Sequence, residues 1–224
     1  MTQTIVSNDQ PTRAMLKSKP AEIFSSLWAS LFYSGRVTGK SVLFCSSDRQ
    51  EGATTIAAAL AVAGSTPSGA ARVALVDFNL RNPMMHKLLR LKPAPGISEI
   101  ITDSLDPASV AQRVSSGLDV YVAGEAAERS LELLRSPTVG DFLQSLQEGY
   151  DHVLVDVAAA NHFPDAQVLA GKVREVVLVL RTEQTPREAV AQAKKRLEAG
   201  GGKLVGLVMN LRTYPIPQFL YKRV

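Results

Sequence analysis

Residues 41–63 read SVLFCSSDRQEGATTIAAALAVA, and this stretch decides the fold. It begins with a short apolar run typical of a buried strand, passes through a polar segment with one glycine, and ends in an alanine-rich segment with strong helix propensity. Strand, glycine-bearing loop and helix in this order are the setting of a phosphate-binding loop. The stretch therefore predicts an anion site where the helix begins.

The loop matches the phosphate-binding pattern G-x-x-x-x-G-K-[ST] with one decisive difference. Gly52 and Thr54 match two of its four fixed positions, whereas Ser47 stands at the first glycine position and Ala53 at the lysine position. In the pattern, backbone N–H groups surround the phosphates, the lysine reaches the β and γ oxygens, and the hydroxyl binds magnesium. Because the amides and the helix dipole remain, the sequence predicts that phosphate binding is retained more readily than catalysis.

The rest of the chain alternates between apolar runs and helical stretches, and this alternation predicts the fold class. Nearly continuous apolar runs, typical of strands buried on both faces, occupy residues 73–77, 118–122, 152–156, 175–181 and 203–210. Helices are expected from Pro20 to about Gly35, shortly after Pro83, and at residues 54–63, 97–102, 107–114, 138–148, 165–170 and 186–198. We predict an α/β fold with an open, mostly parallel twisted sheet and helices on both faces.

Length and composition limit the domain organisation and the compartment. The 224 residues suffice for one α/β domain, which we place at residues 20–212, between a flexible N-terminal arm at 1–19 and a basic aromatic tail at 213–224. The single Cys45 excludes an internal disulfide, and neither a secretion signal nor an apolar run of membrane-spanning length is evident. These features predict a cytoplasmic chain.

Charge and tail composition bear on partners. The formal net charge is +4, and its excess lies at the C-terminal end, where aromatic, apolar and basic residues interleave. That tail suits either packing on its own domain, which we favour, or contact with acidic lipid or an acidic partner. No basic helix face is evident, so no nucleic acid partner is expected.

Polar residues follow several of the expected strands directly. Cys45, Asp77, Asp156 and Asn210 should meet in one crevice, because the carboxyl ends of parallel strands share an edge of the sheet. A carboxylate at the end of a buried strand is unfavourable unless it binds a cation or accepts hydrogen bonds. With Thr54, the two aspartates therefore predict a magnesium site. The alternative is that each aspartate caps the helix that follows it.

A series of short motifs runs in a fixed order along residues 18–224. Residues 22–28 are similar to the pattern E-x-F-R-x-L-R, residues 45–55 to T-S-S-x-x-G-E-G-K-S-T, and residues 76–83 to I-D-x-D-L-R-x-P. Further matches follow at residues 96–101, 133–137, 150–156, 165–166 and 208–210. Together they resemble the cytoplasmic domain of the bacterial tyrosine kinases of polysaccharide export systems, which are relatives of the MinD and ParA P-loop proteins.

The resemblance implies a cofactor, a site and a partner. The cofactor would be ATP or ADP with magnesium, bound by Asn210 and by the loop residues Arg49, Gln50, Glu51, Gly52, Ala53, Thr54 and Thr55. The metal would be held by Thr54, Asp77 and Asp156, and Asp77 would be the base of an active enzyme. The implied partner is a membrane-anchored polysaccharide co-polymerase or chain-length regulator, which would bring the chain to the inner face of the plasma membrane. Homo-oligomers also occur in such a family.

The departures from the family pattern fall on functional positions. Ala53 replaces the loop lysine, and Asn79 replaces the second aspartate of the motif after the second strand. Ser25 and Trp28 occupy the two arginine positions of the first helix. Asp48 stands where MinD-type proteins have their signature lysine. These substitutions indicate weakened phosphate-transfer chemistry.

Three hypotheses follow from this pattern. The leading one is a catalytically impaired, kinase-like P-loop protein, a pseudokinase, that acts as a regulatory or scaffold partner in exopolysaccharide biosynthesis and export. The second is an active tyrosine autokinase or ATPase in which Arg49, Arg81 or a residue supplied in trans replaces the lysine, with Tyr214 or Tyr221 as phosphate acceptor. The third is a MinD- or ParA-like positioning ATPase, against which Asp48 weighs.

Overall fold

A central sheet organises the computed structural model, which describes residues 19–65, 71–125 and 130–211. Its strands are β1 Ser41–Ser46, β2 Val73–Asp77, β3 Gln112–Ser115, β4 Leu118–Tyr121, β5 His152–Asp156, β6 Glu175–Arg181 and β7 Lys203–Asn210. They lie in the order β3-β4-β2-β5-β1-β6-β7, and every pairing is parallel except that of β3 with β4. The predicted fold class, an open and mostly parallel α/β sheet, is confirmed.

Helices cover both faces of this sheet. They are α1 Lys19–Trp28, α2 Ala53–Gly64, α3 Met85–Leu89, α4 Ile97–Thr102, α5 Pro107–Val110, α6 Ser130–Arg135, α7 Pro137–Gly149, α8 Asp165–Val173 and α9 Arg187–Ala199. A π-helical turn, Ala29–Tyr33, extends α1. One apolar core lies between the sheet and α1 to α3, and the other lies between the sheet and α4 to α9.

The alternation of side chains in β1 explains why a continuous apolar run forms a central strand. Val42 and Phe44 pack into the core under α1 to α3, whereas Leu43 and Cys45 pack into the core on the opposite face. All four side chains are fully buried. Burial on both faces favours apolar residues at every position, which is the pattern of a parallel strand.

The first helix is docked on the second by an aromatic side chain. Trp28 is buried and lies against Gly64 of α2, where an added Cβ atom would come within 2.3 Å of the indole ring. Any larger residue at Gly64 would push the indole away. Trp28, at one of the family's arginine positions, is thus a core residue here. Within the described residues, no helix is both long and apolar enough to span a membrane.

Some expected boundaries differ from the structure. The helix predicted at residues 107–114 is wrong in its second half, because α5 ends at Val110 and Val114 lies in β3. β3 pairs antiparallel with β4, and Arg113 donates two hydrogen bonds to Asp119 across that pair. Helix α6 was not predicted. The predicted arm at 1–19 and tail at 213–224, with Tyr214 and Tyr221, lie outside the described residues except for Lys19, which begins α1.

Candidate functional site

The loop between β1 and α2 forms at the carboxyl edge of the sheet. Gly52 has φ of +91°, in the left-handed region, and directly precedes the first residue of α2. A Cβ atom at this position would also lie 2.3 Å from Nδ2 of Asn210, at the end of β7. The chain therefore needs glycine here for both backbone conformation and space. No side chain caps the first turn of α2, so its N–H groups remain available to an anion.

Glu51 supports the loop from within. Its buried carboxylate accepts hydrogen bonds from the Ser47 hydroxyl at 2.8 Å, from the Asp48 N–H at 2.9 Å, and from the Thr185 hydroxyl. Its carbonyl oxygen accepts a hydrogen bond of 2.9 Å from Asn210. The structure thus places the predicted ligands Glu51 and Asn210 together, with their side chains occupied in bracing the loop.

The residues at the start of α2 face different surroundings. Ala53 is 6% exposed and packs into the core beneath the helix. The hydroxyl of Thr54 donates a hydrogen bond of 2.7 Å to Oδ2 of Asp156. The side chains of Gln50 and Thr55 are exposed. Among the predicted loop ligands, Thr54 is therefore the one whose side chain reaches the strand-end carboxylates.

Asp77 and Asp156 are neighbours in the sheet and fully buried. They are register partners at the ends of β2 and β5. Asp77 accepts hydrogen bonds from the N–H groups of Asn79 and Met85, at 3.1 and 3.3 Å. Burial raises the pKa of Asp77 to about 7 against the effect of these hydrogen bonds. Burial and then the negative charge of Asp77 raise the pKa of Asp156 well above its usual range.

This carboxylate pair fits a divalent cation. Oδ1 of Asp156 is buried and has no hydrogen-bond partner among the described residues. A hydroxyl and carboxylate oxygens are ligands that magnesium prefers. A cation beside Thr54 and Asp156 would satisfy the free oxygen and offset the repulsion between the carboxylates. Over residues 19–65, 71–125 and 130–211, no cluster of three or more acidic, histidine or cysteine ligands forms, so the remaining ligands would be water or phosphate.

The two arginines that were considered as replacement cations both lie against Phe163. Arg81 donates hydrogen bonds to both carboxylate oxygens of Asp165, at 2.8 and 3.0 Å, and its Cζ atom is 4.3 Å from the ring centroid of Phe163. The Cζ atom of Arg49 is 5.3 Å from the same centroid. The structure therefore brings both guanidinium groups to one aromatic ring. Asn79, at the family's aspartate position, accepts a hydrogen bond from the Asn82 N–H instead.

Sequence reasoning missed the residues that hold these arginines and the loop. Phe163, Asp165 and Thr185 contact residues that lie more than 80 positions away in the chain. Asp165 was noted as part of a motif, but its ion pair with Arg81 was not expected. No local pattern distinguishes Phe163 or Thr185 from an ordinary loop residue.

Fold and site together define a class of protein. A glycine-bearing loop between a buried strand and a helix, with a helix hydroxyl next to a strand-end aspartate, is the site of a P-loop nucleoside triphosphatase. The kinase domain of Escherichia coli tyrosine kinase ETK has the same fold, with a TM-score of 0.80 at 23% identity, over 91% of this chain and 84% of that chain. The Pyrococcus furiosus cell division ATPase MinD superposes with a TM-score of 0.65 at 19% identity, over 76% and 71% of the two chains.

Sequence similarity then identifies the family. Tyrosine-protein kinase YwqD of Bacillus subtilis (strain 168) is 31% identical over 175 residues, which cover 76% of this chain and 72% of YwqD. The chain therefore belongs to the bacterial tyrosine kinase family. No protein-family profile matches it.

Two further relatives carry names that bear on biological context. The chimerical protein CapA2B2 superposes with a TM-score of 0.81 at 25% identity, over 96% of this chain and 92% of that chain. Succinoglycan biosynthesis transport protein ExoP of Rhizobium meliloti (strain 1021) is 26% identical over 162 residues, which are 70% of this chain and 20% of ExoP. The matched region is thus a small part of ExoP.

Proposed function

We propose that this chain is a catalytically impaired member of its kinase family that acts as a regulatory or scaffold subunit in exopolysaccharide biosynthesis and export. The observation that carries the proposal is the position of Ala53. Its methyl group is buried where the family has a lysine, and the nearby guanidinium groups of Arg49 and Arg81 lie against Phe163.

The missing charge matters more for the reaction than for binding. A charge-assisted hydrogen bond to phosphate is worth about 1.5–3 kcal/mol in the ground state. Phosphoryl transfer relies almost entirely on positioning and charge neutralisation, and removing one preorganised donor commonly lowers the rate about 10²- to 10³-fold. Helix-end amides and magnesium would still attract a nucleotide. Weak binding without turnover is the behaviour that this balance supports.

The crevice residues that still match the family pattern, Thr54, Asp77 and Asp156, support ATP or ADP with magnesium as the ligand. Thr54 and Asp156 would hold the metal, with Asp77 beside it. Bound magnesium would neutralise part of the phosphate charge. The chain's own contribution is to present a hydroxyl and a free carboxylate oxygen at fixed positions on α2 and β5.

The names of relatives support the biological context. ExoP is called a succinoglycan biosynthesis transport protein, and CapA2B2 is called a chimerical protein. We infer that this chain acts on the cytoplasmic side of a polysaccharide export system. Its partner would be a membrane-anchored co-polymerase or chain-length regulator, which would hold the chain peripherally at the membrane.

The test is to incubate purified protein with ATP and Mg²⁺, alone and with the cytoplasmic segment of a polysaccharide co-polymerase. Phosphate release and phosphotyrosine are measured against Asp77→Asn as the matched control. We expect no turnover above that control. Turnover that Asp77→Asn abolishes would overturn the proposal. Calorimetric titration with ADP and with ATP then separates a nucleotide-sensing subunit, which binds, from a plain scaffold, which does not.

A second candidate is an active autokinase or ATPase, and one observation favours it. Thr54 and Asp156, which would hold the metal, are in contact, and Asp77, with its pKa near 7, suits proton transfer close to neutral pH. In this case Arg49 would have to leave Phe163 and reach the phosphate. Turnover by the wild-type protein that Arg49→Ala removes, while Arg49→Lys retains it, would support this candidate. The same low rate in all three proteins would eliminate it.

A further inference from the structure

Residues 161–165, here called the strap, contact two loops that border the crevice. One is the loop between β1 and α2, here called the phosphate loop, and the other is the loop that follows β2. The strap follows β5, which pairs with β1 on one side and β2 on the other. The Asn161 N–H donates a hydrogen bond of 3.2 Å to the Ser47 carbonyl in the phosphate loop. His162 contacts the Asp48 carboxylate through Nε2, and this hydrogen bond lowers the pKa of Asp48. The strap is therefore attached to the phosphate loop at consecutive residues.

Phe163 is the point where the strap meets both arginines. Its half-buried ring accepts cation–π contacts from Arg49 at 5.3 Å and from Arg81 at 4.3 Å, measured from Cζ to the ring centroid. The two arginines differ in their other contacts. Arg81 is also fixed by Asp165, which is fully buried and accepts a further hydrogen bond of 2.6 Å from Ser130.

Arg49 has no comparable second anchor. Its guanidinium group makes no hydrogen bond to any residue in the described part of the chain. It lies 5.3 Å from the ring centroid of Phe163, and its charge also helps to lower the pKa of the neighbouring Asp48 carboxylate. A cation–π contact at a partly exposed site is weak compared with a charge-assisted hydrogen bond to phosphate. The position of Arg49 therefore depends on whether the ring is present.

We propose that Phe163 is a positioning residue that keeps the Arg49 guanidinium group against the strap and away from the anion site. Removing the aromatic face frees a cation on the phosphate loop itself. The first part of this inference concerns the ligand-free protein alone. The second part, a gain in phosphate affinity, rests on the proposed nucleotide crevice.

The first test uses NMR of the ligand-free protein and the variants Phe163→Leu and Phe163→Tyr. Leucine keeps most of the side-chain volume without a π face, and tyrosine keeps the face. We expect the Arg49 side-chain protons to show ring-current shifts in the wild type and Phe163→Tyr, and to lose them in Phe163→Leu. The Nε–H signal of Arg81 should stay hydrogen-bonded in all three proteins. Arg49 shifts that are the same in all three would overturn the proposal.

The second test is calorimetric titration with inorganic pyrophosphate and with ATP and Mg²⁺. We expect Phe163→Leu to bind both about three- to tenfold more tightly than the wild type, and Phe163→Tyr to match the wild type. Adding Arg49→Ala to Phe163→Leu should cancel the gain. A gain that persists without Arg49, or no gain in Phe163→Leu, would overturn the positioning role. If no variant binds either ligand, the nucleotide crevice fails, and the NMR result still decides whether Phe163 holds Arg49.

Discussion

The metal side and the cation side of the crevice are built from different parts of the fold. We call Thr54, Asp77 and Asp156, which are proposed to hold a metal ion, the metal side. Its two aspartates end β2 and β5, which lie inside the sheet. The cation side is an alanine at the start of α2 and two arginines in loops. Alanine favours a helix and removes no core contact, so losing the lysine carries no evident cost in stability. Two adjacent buried carboxylates, by contrast, destabilise the protein unless something binds them.

We infer from this contrast that a ligand-dependent role belongs to Thr54, Asp77 and Asp156 and not to Ala53 and the two arginines. A side chain that destabilises the empty fold needs another reason to be present, and a cation at Asp156 would provide one. Ala53 and the two loop arginines do not destabilise the empty fold, so their presence needs no ligand to explain it. The predictions below break or sharpen this contrast, beginning with the largest expected effect.

Replacing Arg81 should show that it is structural. Asp165 is fully buried, so Arg81→Ala would leave a buried charge whose one remaining side-chain partner among the described residues is Ser130. We expect a loss of about 3–5 kcal/mol in the free energy of unfolding, measured by urea denaturation. Arg49→Ala, the matched control, should change it by less than about 0.5 kcal/mol. Adding Asp165→Asn should recover much of the loss, and equal effects of the two arginines would contradict the distinction between them.

Placing a lysine at position 53 should restore ATP hydrolysis if Thr54, Asp77 and Asp156 can still hold the metal. We expect Ala53→Lys to raise the rate of ATP hydrolysis about 10²- to 10³-fold over the wild type, because it returns a preorganised charge to the phosphates. The uncharged variant Ala53→Met is the control for side-chain length and should stay at the wild-type rate. A folded Ala53→Lys protein that binds ATP but does not hydrolyse it would show that the metal side has also lost its function.

Neutralising one carboxylate should stabilise the metal-free protein. The pKa of Asp77 is about 7 when folded and near 4 when unfolded, so the folded state binds more protons between these values. Wild-type stability should therefore fall as pH rises from about 4 to 7, and the raised pKa of Asp156 should extend this fall to higher pH. At pH 8 in EDTA we expect Asp77→Asn to be more stable by about 1–3 kcal/mol.

Magnesium provides the contrast for Asp77→Asn. It should stabilise the wild type more than the variant, because the variant has lost a carboxylate beside the metal. The readout is the urea midpoint at pH 5 and pH 8, with EDTA and with Mg²⁺. A variant less stable than the wild type at pH 8 without metal would contradict the view that this pair is strained when empty.

The smallest expected effect concerns the Glu51 carboxylate, whose hydrogen bonds hold the phosphate loop in place. Thr185→Val keeps the side-chain shape and removes the hydroxyl, which donates to Glu51 and accepts a hydrogen bond from the Arg181 N–H. We expect a loss of about 1 kcal/mol in the free energy of unfolding. Thr55→Val, an exposed change at the start of α2, is the control and should be nearly neutral. Equal losses in both variants would show that the hydrogen bond to Glu51 contributes nothing specific.

Much of the fold could be predicted because its strands are buried on both faces. The strands Val73–Asp77, His152–Asp156, Glu175–Arg181 and Lys203–Asn210 have the predicted bounds, and Asp77 and Asp156 are neighbours as expected. Asn210 instead contacts Glu51, because three strands separate β7 from β2. β3 was missed for a physical reason. Asp106 and Pro107 do begin a helix, but it stops after four residues because the following segment pairs with β4.

The candidate site divides in the same way. Strand ends converge by topology, so the neighbourhood of Thr54, Asp77 and Asp156 follows from the sequence. The position of a guanidinium group does not, since it depends on loops that are distant in the chain. The predicted roles of the site residues stay predictions until the ligand experiments are done.

The hydrogen bonds of the Glu51 carboxylate have a consequence for how such a protein can change over evolutionary time. Its hydrogen bonds to Ser47, Asp48 and Thr185 hold the loop through protein contacts alone. We expect that a lineage can therefore lose phosphate transfer while the loop between β1 and α2 stays folded, and so stays protected from proteolysis and aggregation. We expect an inactive descendant to keep this loop folded, so that the same scaffold can serve in binding alone.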